Sequence, residues 1–140
     1  MARKLGLKVA PPSDLRLGGM DFESKEQVER LKEQLEDWHS SGVKLVLHLA
    51  PPCRTFSRAR DRCAKTRLRS FNHPEGLATL SGWKKSLVKS QNCIAEHALD
   101  LAAWAASRNA IVTLENPKDS YLWRLPASTN QDPAKYTDAL

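Results

Sequence analysis

Between Ser24 and Gly42 the apolar positions Val28, Leu31, Leu35 and Trp38 recur at three- or four-residue spacing, the period of one helical face. Ser24 precedes Gln27 by three residues, a capping-box pair that predicts where this helix starts, and Ser40-Ser41-Gly42 predicts where it stops. The pattern then changes. Residues 43–49, VKLVLHL, form a short run rich in leucine and β-branched residues, ended by Pro51-Pro52, and predict a buried strand. A longer helical period runs over residues 84–107, with Val88, Ala95, Ala98, Leu99, Ala102 and Ala105 on one face. Arg108-Asn109 closes it, and residues 110–114, AIVTL, predict a second buried strand that runs into Glu115-Asn116-Pro117. Lys8-Val9-Ala10, before Pro11-Pro12, reads as the end of an earlier strand, followed by a turn-rich loop around Gly18-Gly19. SYLW after Pro117 reads as a short helix laying Leu122 and Trp123 on the sheet, and the remaining tail as loop.

The order is strand, helix, strand, helix, strand, with crossovers long enough for parallel pairing. It predicts an α/β fold with helices on both faces of the sheet. Chemistry in such sheets collects at the carboxyl ends of the strands. Two polar tips leave strands there, Pro51-Pro52-Cys53 and Glu115-Asn116-Pro117, and they are expected to meet in space.

At 140 residues the chain is sized for one domain, 1–140, with an ordinary hydrophobic fraction of 41%. It contains no apolar run of membrane-spanning length, and its N-terminal residues lack the apolar core of a signal peptide, so an intracellular protein without a membrane partner is expected. Three cysteines, Cys53, Cys63 and Cys93, lie at scattered spacing with no metal-ligand pattern, so neither a metal nor a disulfide is expected. Charge sharpens the picture. Between Arg54 and Arg69 lie seven basic residues, Arg54, Arg58, Arg60, Arg62, Lys65, Arg67 and Arg69, against the single acid Asp61. That segment carries the whole net charge of +6, directly after Cys53. It reads either as a solvated mobile loop or as a set of phosphate contacts, with DNA as the partner.

A cysteine in positive surroundings attacks as the thiolate, and a desolvated glutamate can donate a proton near neutral pH. Cys53 and Glu115 therefore suit addition of a nucleophile to an electrophilic carbon while an acid protonates a neighbouring atom. The stretches APPCRTFS (50–57) and LENP (114–117) resemble the cytosine-C5 DNA methyltransferase family, whose motifs are Pro-Cys with Phe-Ser after it, and Glu-Asn. The resemblance implies that Cys53 adds to C6 of a flipped-out cytosine and Glu115 contacts N3, with Pro52 and Asn116 positioning them. It also implies a Rossmann-like sheet, S-adenosylmethionine as methyl donor, a DNA-facing loop after the cysteine and, in a eukaryote, a nuclear location.

The resemblance covers roughly residues 8 to 125. The chain has no Gly-x-Gly cofactor turn and no target-recognition region, and Pro117 stands where the family has Val. An incomplete catalytic domain is therefore expected, with Asp14 or Asp21 the only loose candidates for cofactor contact. The alternative is a non-catalytic nucleic-acid-binding or interaction module derived from the same fold. A cysteine enzyme acting on another substrate ranks last, for want of a histidine base: His48 reads as a satisfied strand residue and His73 as a loop residue. Cys63 and Arg69 match a Cys-x5-Arg spacing, but no glycine is there to cradle phosphate. Trp83, Trp104 and Trp123 are expected to pack in the core, and Cys93 to lie buried or half-buried in the long helix.

Overall fold

Capping decides where the first helix begins. In a computed structural model, which describes residues 9–12 and 18–125, α1 spans Lys25–Ser40 with Ser24 as its N-cap. The Ser24 hydroxyl accepts from the Gln27 N–H at 3.4 Å. The Gln27 side-chain oxygen reaches past the cap to accept from the Asp21 N–H at 2.8 Å, so the entry loop is held with the helix. At the far end Gly42 adopts φ 86°, which lets the Val43 N–H return to the Trp38 carbonyl. A side chain at that φ would be strained.

Strand β1 is Val46–Leu49 and β2 is Ile111–Leu114. They pair in parallel, with Val46 opposite Ile111 and Leu49 opposite Leu114. Helix α2, Gly82–Ala106, lies between them in sequence and is about 38 Å long. All six residues of its predicted face are buried, joined by Gln91 and Leu101. Four of the six are alanines, which let the helix approach the sheet closely. Leu45, Leu49, Leu101, Ala102 and the α1 residue Leu35 form one core, with Leu31, Leu47, Val112 and Leu114 against it. Two links brace α1: Lys32 Nζ to Asp100 of α2 at 2.6 Å, and Glu36 to the Arg108 guanidinium just beyond the end of α2.

The described residues thus form a mixed α/β layer of two helices and a two-stranded parallel sheet. Two expectations are corrected. Helices cover one face of the sheet, whereas the other presents Val46 (62% exposed), His48 and Ile111 (50%) to solvent. The earlier strand is not found at Val9 and Ala10, which are exposed and unpaired; Pro11-Pro12 beyond them have no N–H to donate to a ladder. Lys8, Asp14 and the tail after Leu125 lie outside the described residues.

The basic segment is also not a loose connection. Arg58–Arg62 form a 3-10 helix, Ser70 and His73 form a β-bridge, and Leu77 N–H bonds the Leu68 carbonyl at 3.0 Å. Gly76 lies so close to α2 that a Cβ there would come within 2.8 Å of a Val88 methyl. A second core gathers Phe56, Ala95 and the 3-10 turn Tyr121–Arg124 with Leu125, burying Tyr121 and Leu122, so SYLW does form a short helix. Of the tryptophans, Trp83 is exposed on the first turn of α2 instead of packed, and Trp104 and Trp123 are half-buried.

Candidate functional site

Because β1 and β2 are parallel, both carboxyl ends finish at the same edge. The Glu115 N–H donates to the Leu49 carbonyl at 2.8 Å, one residue beyond the paired strands. The Asn116 amide nitrogen donates to the Pro51 carbonyl at 2.9 Å, across 65 residues of sequence. Together these bonds hold the two tips side by side, as their strand positions predict. Asn116 thus meets the backbone one residue before Pro52 and two before Cys53.

Cys53 opens a tight turn. Its carbonyl accepts from the N–H groups of Phe56 at 3.0 Å and Ser57 at 2.9 Å. The Ser57 hydroxyl then caps the 3-10 helix through the Ala59 N–H. Thr55 and Phe56 are fully buried, and the Tyr121 N–H bonds the Phe56 carbonyl at 3.0 Å. Pro52 and Cys53 stay exposed above this clamped base. Cys63 is exposed too. Cys93 is half-buried, and burial, then Glu23, pushes its thiol above the ordinary range, which disfavours its thiolate.

Glu115 is not the buried acid that the chemistry anticipates: its side chain is 74% exposed. One carboxylate oxygen lies 3.5 Å from Nε2 of His48, whose Nδ1 is 2.8 Å from the Thr113 hydroxyl. His48 and Thr113 are cross-strand partners, and Glu115 follows Thr113 by two, so all three share the uncovered face. This grouping went unread in the sequence, where His48 stood alone. Strand alternation, once the register is known, is the signal that finds it.

The seven basic residues fall into three groups. Arg54, Arg62 and Lys65 are exposed, and their side chains have no ion pair or hydrogen bond among the described residues. Arg58 and Arg67 lie 3.5 and 3.9 Å from the Asp61 carboxylate, while Arg60 donates to the carbonyls of Arg54 and Thr66. Arg69 corrects the reading of it as a phosphate contact. It is buried, and donates to the Thr55 carbonyl and hydroxyl, the Pro74 carbonyl and Asn92 Oδ1 at 2.5–3.1 Å. Its guanidinium lies 3.7 Å over the Phe56 ring. Burial pulls its pKa down to about 10, which leaves it charged at neutral pH. Arg69 is thus the internal bolt that ties the Cys53 turn to the basic segment and α2.

Of the two loose candidates for a cofactor contact, only Asp21 lies among the described residues. The Asp21 carboxylate accepts from the Glu23 N–H at 2.9 Å, a turn-forming contact that occupies it locally. Asp21 lines neither the groove beside Tyr121 nor the hollow between Gly42 and Asn109. Among the described residues no group of three or more His, Cys, Asp or Glu could hold a metal ion, and no helix is long and apolar enough to cross a membrane. No protein-family model, no curated protein and no solved structure matches the chain.

Proposed function

We propose that the protein carries the nucleophile-bearing part of a cytosine-C5 methyltransferase-like site, with Cys53 adding to C6 of an extruded cytosine and Glu115 acting at N3. What supports this reading above all is the pairing of the two motif tips through Glu115 N–H to Leu49 and Asn116 to Pro51. The two-helix, two-strand unit is then one part of a Rossmann-like sheet whose remaining strands would lie at its free edges. Cys53 Sγ, as thiolate, forms the bond to C6, the C5–C6 π pair moves into the ring, and N3 takes a proton from Glu115. A base seated over Glu115 would supply the desolvation that the exposed side chain now lacks. The addition reverses when C5 takes a proton from solvent, releases the hydrogen it first carried, and the C6–S bond breaks. Arg54, Arg62 and Lys65 stand free to meet the phosphates of DNA.

No methyl-transfer step is assigned to this chain. The local role of Asp21 favours a second reading, a nucleic-acid-binding module that keeps the tips without turnover.

Hydrogen exchange at C5 separates the two without a methyl donor. Oligonucleotides carrying 5-tritiated cytosine are expected to release tritium to water with the native protein and not with Cys53→Ser. Glu115→Gln is expected to slow release by about a hundredfold, the low end of a general-acid contribution. If the native protein binds the oligonucleotide and releases nothing, the nucleophile reading fails and the module reading stands.

A further inference from the structure

A groove of about 530 Å3 lies between the residue 71–74 loop and the Tyr121–Arg124 turn. It adjoins the Cys53 turn through the Tyr121–Phe56 backbone bond. Three cations, Arg58, Lys118 and Arg124, line it against one acid, Asp119. Lys118 and Arg124 are exposed and have no ion pair among the described residues. The Arg124 guanidinium is stacked 3.4 Å over the ring of Phe71, which is itself 62% exposed. Trp123 forms another wall, its indole held by Nε1–H donating to the Pro117 carbonyl at 2.8 Å. Tyr121 is turned to Asp61, its hydroxyl donating at 2.6 Å.

Burial does not account for a phenylalanine left in water under a cation, and ion pairing does not account for Lys118 and Arg124. Stacking on Phe71 fixes the plane of the Arg124 guanidinium while leaving its N–H donors unclaimed, a preorganised phosphate contact. The layered Arg124–Phe71 pair beside Trp123 offers flat surfaces for a base, and the volume falls within the range of small-ligand sites. An acidic peptide would answer the cations and leave the aromatic surfaces uncovered. A duplex would answer the cations while keeping its base faces stacked internally.

We infer that this groove binds one nucleotide of a single-stranded nucleic acid, its phosphate on Arg124 and Lys118 with Arg58 alongside, and its base against the Arg124–Phe71 stack. The inference rests on the nucleic-acid part of the proposed function but not on Cys53 chemistry. The test is anisotropy of a fluorescein-labelled oligothymidylate 15-mer, titrated with native protein at several salt concentrations. The Lys118→Ala/Arg124→Ala double variant is expected to bind at least about tenfold more weakly, with a log–log salt slope shallower by about 1. Phe71→Ala is expected to lose about fivefold or more with the slope kept, as for a lost stacking contact. All three residues are exposed, and an unchanged circular dichroism spectrum confirms folding.

Arg54→Ala/Arg62→Ala/Lys65→Ala is the comparator. If it abolishes binding while the groove variants bind like the native protein, the groove assignment is overturned and the nucleic-acid partner survives. Competition by polyglutamate as effective as by unlabelled oligonucleotide would overturn the groove assignment in favour of an acidic peptide. If the native protein does not bind the 15-mer, or any duplex, both readings fall.

Discussion

After β1 the chain turns inward: Thr55 and Phe56 are buried, and Arg69 gathers acceptors from the turn, from Pro74 and from α2 around them. After β2 it first runs along the surface over residues 115–119, where Glu115 is held by one backbone bond and faces His48 across 3.5 Å of exposed surface. The two ends hold the paired motif residues, yet one is anchored by core packing and the other by little beyond the ladder. A nucleophile needs a fixed seat to meet a carbon at bonding distance. An acid that must close over a bound base gains from remaining free until the base arrives. The contrast between the tips therefore matches the division of labour proposed for them.

That contrast is open to measurement. The largest effect is expected at Arg69. Arg69→Ala would leave Thr55 and Asn92 without their donor and open a cavity over Phe56, at a cost of about 3 kcal/mol by urea unfolding. A cost below 1 kcal/mol would mean that the Cys53 turn is not anchored from within. An intermediate effect belongs to Tyr121, which links the second core to Asp61. Burial, then the hydrogen bond to Asp61, raises its phenol above the ordinary 10. The contribution is fully present below pH 10, where the phenol is protonated in folded and unfolded chains alike, and is lost as pH rises through the folded value. Stability should therefore decline above pH 10 more steeply in the native protein than in Tyr121→Phe, which should itself cost about 1 kcal/mol at neutral pH. Equal slopes would remove the Asp61 link from the account. The smallest effects are expected at the other tip: His48→Ala and Glu115→Gln should each change stability by less than about 0.5 kcal/mol, because their contact is solvent-exposed. A loss at Glu115 comparable to that at Arg69 would erase the difference between the two ends.

How much of this the sequence made legible follows from what kind of force shapes each part. The Ser24 cap, the buried face of α2 and the meeting of the tips follow from local periodicity and strand direction, and each appears in the structure. Arg69 was misread because arginine is a surface residue by default, and only the fold brings Thr55, Pro74 and Asn92 around it. Phe56 stood in a motif beside Ser57, and nothing local distinguishes a motif phenylalanine from a core one. The uncovered sheet face was equally hidden, since Val46 and Ile111 sit in apolar runs indistinguishable from strands covered on both sides. His48, Thr113 and Glu115 converge through register, a long-range property.

The Asn116–Pro51 bond also sets an order of events during synthesis. Helix α2 can form from neighbours along the chain, but strand pairing between residues 46–49 and 111–114 must wait for the closing of a loop more than sixty residues long. A ribosome adding about 5–20 residues per second makes Cys53 several seconds before Glu115 exists. Throughout that interval the nascent chain bears a cysteine with no acid beside it, and the pairing of the two tips is completed in one late step when β2 docks.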